Sequence, residues 1–480
     1  MISMFEERTG TPQVGELLER AAKHLLARVN DNVQWYSFDN EVLAKVHAFD
    51  SVDAGIYLQL CLKRQLPPSE HCLDLLLKRV ANKKTSAQFS LSAALAALQA
   101  SHQFKFPGRS ITNIFDQANR LVVNFSTPDA VKLLYACTLH QQISLATKLR
   151  KILTDRLRDD SVWTSGEVHG FVASLTRLKL FDLNCGNAVD ERMNKKTSES
   201  FLSEYSLEQL VHLLHGFSRV SDPHFFGNFF EQVSEELALV EEWDPKNLAV
   251  TMNSLARAQI RPEVLIEKCA VVLPVIIEFL DERDFAQIMH ALVKLELVET
   301  EMFELMLARC DRMILKMHMP SAALCFWAAA KSEKSIFPII DAMRSRVDEK
   351  ISVGDAVRIL ISGKIGEIGE KSTVILNRLV EAEIPIDDIA GVADAIKEFP
   401  GHGKLVISRF LTSAQPSVGR CLKIAEAAIA CKCGDDEIRG FLNSHSFLEI
   451  SKSEAMRLAS VTSRVNSHLL DVAVKVIQKI

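Results

Sequence analysis

The sequence lacks the features that would assign it to several common classes of protein. Its 480 residues contain no uncharged apolar run close to the roughly 18 residues that a membrane span needs, so we expect no membrane partner. Aromatic residues make up only 7% of the chain, a composition that helix-on-helix packing tolerates. The net charge is -5, so the chain as a whole does not attract nucleic acid, and any such site must be a local patch.

The ten cysteines do not form a disulfide pattern. Most of them fall on apolar helical faces, which predicts free thiols that pack as small hydrophobic residues in a reducing compartment. The first eight residues carry two acids and resemble neither a secretory signal nor an organellar presequence.

No group of residues has the pattern of an enzyme site. Gly363–Gly369 is rich in glycine but lacks the Lys-Ser/Thr ending of a phosphate-binding loop. Cys431 and Cys433 have no second ligand pair at zinc spacing, and His212 and His215 have no further ligand nearby. We therefore expect a non-enzyme with no catalytic residues, no metal, no cofactor and no small-molecule substrate.

Four segments in the middle of the chain are close copies of one another. Their starts are 38, 37 and 37 residues apart, and a constant period of about 20 to 50 residues is typical of a stacked repeat array. The segments are Ser206–Arg219, Asp244–Arg257, Asp281–Lys294 and His318–Lys331.

Each copy follows the same helical pattern. Three of the four open with Ser or Asp, whose side chain accepts hydrogen bonds from the free amides of a helix start. Apolar residues follow at the fourth, eighth and eleventh positions after this cap, as in Leu210, Leu214 and Phe217, and share one helical face. A small residue at the tenth position, such as Gly216, allows a neighbouring helix to come close. A second apolar helix follows, so the unit is a helical hairpin.

The same register extends over the whole chain. The steps between starts are 37 to 42 residues as far as His318 and 32 to 34 residues after it. The starts are Gln13, Asp50, Ala87, Ser126, Thr164, Ser206, Asp244, Asp281, His318, Ser352, Pro385, Ser417 and Ser451. Because one hairpin cannot bury its own apolar stripe, neighbours must stack. We predict an all-α superhelical solenoid of about 13 two-helix repeats, of the armadillo and HEAT kind.

The change of period predicts three sections. Residues 1–49 form N-terminal capping helices, 50–350 the main array, and 351–480 shorter repeats with a capping helix. Two segments interrupt the pattern. Asn184–Ser203 is expected to be a polar loop around a degraded second helix, and Gly401–Lys404 is expected to be a helix-breaking turn.

A row of cations, which we call the ladder, recurs at the thirteenth position after the caps. Stacking aligns equivalent positions along one edge, where the cations could follow a phosphate backbone. The alternative is that each cation stabilises the C-terminal end of its own helix through the helix dipole. The two roles are compatible. The candidate backbone contacts are Lys63, Arg177, Arg219, Arg257, Lys294 and Lys331.

The ninth position holds polar or aromatic residues that vary from repeat to repeat. Such side chains can read one RNA base per repeat by stacking and hydrogen bonding, although a mixed polar face beside the core explains them as well. Alanine, isoleucine or an acid occupies this position in other repeats, which weakens a long readout code. The candidate base contacts are Tyr135, His215, Asn253, His290 and Trp327, and Gln59 has the same position in an earlier repeat.

The copies Leu210–Val220 and Phe285–Leu295 resemble the 37- to 38-residue helical repeats of organellar RNA-metabolism proteins. This class includes the octotricopeptide and FAST-kinase-like proteins, whose frequent C-terminal RAP domain is not recognisable here. The size, acidic balance and lack of other domains look most like an all-helical subunit of the kinetoplastid mitochondrial RNA-editing substrate-binding complex. The resemblance implies a mitochondrial protein that helps to assemble guide RNA, messenger RNA and other subunits.

These observations lead to one interpretation with one main alternative. The first is a non-catalytic RNA-binding or scaffold subunit of a mitochondrial RNA-processing complex, with single-stranded RNA and other subunits as partners. The alternative is a protein–protein scaffold of the armadillo or HEAT kind without RNA contact. The ladder and the resemblance favour RNA, and the negative net charge favours the scaffold.

Overall fold

The computed structural model describes residues 11–26, 32–81, 89–106, 108–159, 163–195, 202–332, 336–346, 351–362, 372–381, 389–397, 399–413, 418–444, 452–465 and 474. Within these ranges the chain forms α-helices and short 3-10 turns and no strand, which confirms the all-α class. The chain divides into two compact units, Met1–Val240 and Glu241–Ile480. The predicted boundaries at 49 and 350 stay predictions.

The helices of the first unit are short and regular. They are α1 Pro12–Leu26, α2 Asn32–Lys45, α3 Ser51–Arg64, α4 Glu70–Val80, α5 Leu91–Gln103, α6 Arg109–Leu121, α7 Thr127–His140, α8 Ile143–Arg158, α9 Ser165–Arg177, α10 Leu183–Lys195, α11 Leu207–Phe217 and α12 Gly227–Leu239.

The second unit continues the same pattern. Its helices are α13 Pro245–Ala258, α14 Glu263–Ile276, α15 Glu282–Lys294, α16 Glu301–Met313, α17 Met319–Ala330, α18 Phe337–Arg346, α19 Val353–Ile361, α20 Ser372–Glu381, α21 Ile389–Ile396, α22 Pro400–Ser413, α23 Val418–Ala430, α24 Asp435–Asn443 and α25 Lys452–Val465.

The helices of each unit form two layers. The odd-numbered helices stack in chain order, from α1 to α11 in the first unit and from α13 to α25 in the second. Even-numbered helices form the other layer, where α2 packs on α4, α4 on α6, α14 on α16 and α16 on α18. Each of the first twelve repeats thus contributes one helix to each layer, which confirms a solenoid of two-helix repeats. The 13 odd-numbered helices of the described ranges correspond to the predicted repeats.

The predicted caps explain where the odd-numbered helices begin. The cap side chains that accept a hydrogen bond from the amide three residues later include Asp50, Ser126, Ser206, Asp244, Asp281 and Ser352. His318 makes no such bond. Its own amide instead donates to the carboxylate of Glu282 at 2.7 Å, so the preceding repeat holds this helix start.

Two local predictions were wrong, the start of α5 and the turn at residues 401–404. Helix α5 is capped by Ser90, whose hydroxyl accepts from the Ala93 amide at 3.3 Å, and not by a residue at position 87. The second helix expected within Asn184–Ser203 is α10, which starts at Leu183 because the Asp182 carboxylate accepts from the Cys185 amide and Cys185 is buried in its apolar face. The segment 401–404 lies in the first turns of α22, where proline at position 400 is compatible with a helix start.

The small residue at the tenth position has the predicted role at Gly216. A Cβ atom at this position would lie 2.5 Å from Cγ1 of Val172 and 3.0 Å from the hydroxyl of Thr176, both in the neighbouring helix α9. Only a residue without a side chain fits this contact between α9 and α11.

Long polar side chains of the even-numbered layer bind carbonyls of the preceding repeat. Arg346 is buried in α18, and its guanidinium donates to the carbonyls of Ile314 at 2.6 Å and Met317 at 2.7 Å, just beyond the end of α16. Arg156 of α8 donates in the same way to the carbonyl of Phe125, at 2.7 Å. These bonds satisfy carbonyls that a helix end leaves without an intrahelical partner.

Candidate nucleic-acid interface

The predicted phosphate contacts at the thirteenth position and the predicted base contacts at the ninth position lie on the odd-numbered helices or directly after their ends. The sixth, ninth and thirteenth positions after each cap fall on the same side of the helix because of its 3.6-residue turn. We call the surface made by these positions the odd-helix face and consider it in each unit separately.

The six cations of the ladder are all exposed at or just beyond the ends of odd-numbered helices. In the second unit, Arg257, Lys294 and Lys331 belong to three consecutive repeats. In the first unit, Lys63 is separated from Arg177 and Arg219 by two repeats without a cation at this position. The second unit therefore carries the more regular row.

An aromatic and cationic cluster lies on the odd-helix face of the second unit, between α15 and α17. The rings of His290 in α15 and Trp327 in α17 are 5.2 Å apart between centroids. The ammonium of Lys294 lies 5.6 Å from the centre of the Trp327 ring, a cation–π contact. Trp327 is 9% exposed, so little of its ring is open to a base.

The charges around His290 make this cluster electropositive. Burial lowers the pKa of His290 most, and together with the nearby cations Lys294, Arg358 and Arg257, in that order of importance, it brings the pKa from 6.5 to about 4. Arg358, in α19, also donates to the carboxylate of Asp355 at 2.7 Å. The imidazole is therefore neutral at pH 7, and three cations from three helices act on the same point of the face.

The other predicted base contacts have varied surroundings. Tyr135 is 45% exposed in α7, whereas His215 in α11 and Asn253 in α13 are half-buried. The structure brings His290 and Trp327 together, and base contacts by these five residues stay a prediction.

Two histidines of adjacent repeats form a direct contact in the first unit. Nε2 of His169 lies 2.9 Å from Nδ1 of His212, with the rings nearly parallel. Burial lowers the pKa of His169, and the neighbouring His212 lowers it further, so the protonated imidazolium is disfavoured at this contact. Among the described residues no group of three or more His, Cys, Asp or Glu side chains could hold a metal ion.

The ten cysteines are free thiols and are all buried. Burial raises the pKa of Cys137 and Cys269 to about 12, so neither thiol is a nucleophile at neutral pH. In the parts of the chain that the structure describes, no helix is long and apolar enough to cross a membrane.

Two residues of the odd-helix face were not identified from the sequence. Gln99 takes the ninth position of its repeat once the cap of α5 is placed at Ser90, and the error in that start hid it. Arg358 lies at a sixth position, so only the stacking of the helices reveals that its charge acts on His290.

Comparison with known proteins gives little further information. No family model and no curated protein matches this chain. Among solved structures, the crystal structure of the pentatricopeptide repeat protein PPR10 from maize is similar at 10% identity and a TM-score of 0.37, over 97% of this chain and 73% of that chain. At this TM-score the assignment of the fold rests on the helices themselves.

Proposed function

We propose that the protein binds single-stranded RNA along the odd-helix face of its second unit and catalyses no reaction. The observation that supports this most directly is the cluster around His290. Arg257, Lys294 and Arg358 place positive charge on one face, and consecutive repeats continue it to Lys331. A row of cations beside aromatic and polar side chains is the combination that non-specific single-strand binding uses.

The resemblance of the repeats extends this proposal to a biological setting. It supports a subunit of a mitochondrial RNA-processing assembly that edits RNA, with guide RNA or messenger RNA and further subunits as partners. In this proposal the cations hold the phosphates, and the ninth-position side chains contact bases where they are accessible.

Salt-dependent titration of the purified protein against a labelled single-stranded RNA tests the proposal. Each phosphate contact contributes about 0.7 to the slope of log affinity against log salt. Changing Arg257, Lys294 and Lys331 together to alanine should therefore reduce that slope by about 2 and weaken binding at least about tenfold at moderate salt.

A matched control removes three exposed cations outside the odd-helix face. Arg261, Arg312 and Lys316 lie in the same unit and are exposed, and their change to alanine alters the net charge equally. Equal losses in the two triple variants would show that net charge matters and the ladder does not. Absence of RNA binding by the unchanged protein at physiological salt would refute the proposal.

A protein scaffold is the second candidate, and one surface favours it. Helix α14 and the turn after it expose Val264, Val271, Val275 and Phe279, each between 53% and 76%. Exposed apolar side chains at this density are typical of protein-binding surfaces. The scaffold function becomes the better explanation if the unchanged protein does not bind RNA.

A further inference from the structure

The odd-helix face of the first unit contains a recess that the ladder does not explain. It has a volume of about 480 Å³, which is within the range of sites for small organic ligands. Residues of α3, α5 and α7 line it, together with Gly170 of α9. A Cβ atom on Gly170 would lie 2.8 Å from Cγ1 of Val131, so α9 reaches this position only because the residue is glycine.

The walls of the recess combine carboxamides with small apolar groups. Gln59 and Gln99 enter from adjacent repeats, both at the ninth position, and Ala96 and Ala136 leave the space beside them open. Within the described part of the chain, neither glutamine side chain has a hydrogen-bond partner. Each carboxamide therefore has a donor and an acceptor available inside the recess.

Tyr135 and Lys132 complete the site on helix α7. Tyr135 lines the recess with 45% of its surface exposed, so its ring is accessible. Lys132 lies nearly one turn earlier, and its only ion pair in the described region is a long one of 3.9 Å to Asp129. No acidic side chain lines the recess.

This combination fits one class of ligand. The two carboxamides match the alternating donors and acceptors on the edge of a nucleobase, and the tyrosine ring offers a surface for stacking. Lys132 is the only cation in the lining and lies at the rim, so a charged phosphate fits there better than deep in the recess.

We propose that this recess binds one unstacked base of a single-stranded RNA, with Gln59 and Gln99 on the base edge, Tyr135 on its face and Lys132 on its phosphate. The proposal rests on RNA binding by the protein. It adds a base-dependent contact in the first unit to the charge-dependent contact in the second.

A comparison of base-containing and abasic RNA tests the recess. The full chain is titrated with a labelled single strand of about 12 nucleotides and with an abasic strand of the same length and charge. The unchanged protein should bind the base-containing strand at least about tenfold more tightly. Tyr135→Ala and the double change Gln59→Ala with Gln99→Ala should each remove most of this difference without changing the salt slope.

Two controls separate the recess from general effects. Tyr135→Phe keeps the ring and should retain most of the preference for base-containing RNA. Gln103→Ala removes an exposed glutamine one turn further along α5, outside the recess, and should bind as the unchanged protein does. Circular dichroism and thermal melting verify that the variants are folded.

The remaining outcomes distinguish this proposal from RNA binding as such. If the recess variants keep the full preference while the ladder variant loses affinity, the recess is refuted and RNA binding stands. If the unchanged protein binds both strands equally, the recess is likewise refuted. If it binds neither strand, both proposals fall and a protein segment becomes the better candidate for this face.

Discussion

Single residues set how closely neighbouring repeats approach, and Gly216 is the clearest case. Replacing it with alanine would place a methyl group 2.5 Å from Val172, although alanine is about 1 kcal/mol better than glycine within a helix. Overpacking of this kind costs about 1 to 3 kcal/mol, so after this gain Gly216→Ala should lower the free energy of unfolding by up to about 2 kcal/mol in denaturant titration.

Gly440 provides the matched control for that substitution. It lies in helix α24, and a Cβ atom there would meet nothing within 4 Å. Gly440→Ala should therefore be neutral or stabilise the protein by up to about 1 kcal/mol. Destabilisation of the same size at both positions would contradict the close-contact explanation.

His290 should make the stability of the protein depend on pH. Its pKa is about 4 in the folded state and about 6.5 in the unfolded state, so the unfolded chain binds the proton more readily. The contribution of the neutral His290 to stability is therefore fully present above pH 6.5 and is lost as the pH decreases toward 4. The difference between the two pKa values corresponds to a loss of about 3 kcal/mol. The actual loss should be smaller, because the half-buried ring keeps some contact with water.

His290→Gln removes this titration while keeping a polar side chain of similar size. Denaturant unfolding at pH 7 and pH 5 should show a smaller pH-dependent loss in the variant than in the unchanged protein. The same slope in both proteins would mean that other groups cause the acid sensitivity.

At the level of helices, buried side chains connect neighbouring helices of the even-numbered layer. Arg346→Met keeps an apolar stem but leaves two carbonyls of the preceding repeat without their partner. Losing charged hydrogen bonds of this kind should cost about 3 kcal/mol in thermal or chemical unfolding. Arg344→Met in the same helix is the control, since Arg344 is exposed and bonds to Asp341 at the surface, and it should change stability by less than about 0.5 kcal/mol.

The arrangement of helices could be predicted from the sequence to the extent that it depends on period and caps. The period placed the odd-numbered helices, and residues such as Asp50 and Asp281 fixed their starts. The start predicted for α5 from equal spacing was wrong. A helix begins where a side chain such as that of Ser90 can cap it, and not at a constant distance from the previous repeat.

The contacts between repeats could not be predicted in the same way. The partners of Arg156 and Arg346 are backbone carbonyls, which have no signature in the sequence. The cations of the ladder were visible because they recur at one position. The effect of Arg358 on His290 depends on how α15 and α19 stack on the two sides of α17, and so required the structure.

At the scale of the whole molecule, a stacked array should respond locally to a local change. Each repeat of a solenoid contacts its neighbours only, so its stability is close to a sum of nearest-neighbour terms. Gly216→Ala should therefore speed amide hydrogen exchange in α9 and α11, which meet at this residue, and leave exchange in α15 and α17 nearly unchanged.

Arg346→Met should produce the reverse pattern in hydrogen exchange. It weakens the contact of α18 with the end of α16, so exchange should increase there while α9 and α11 stay protected. Mass spectrometry of peptides after timed exchange measures both variants against the unchanged protein. An increase spread evenly over all helices in either variant would indicate a single cooperative unit, and nearest-neighbour stacking would then be an inadequate account of the stability of this chain.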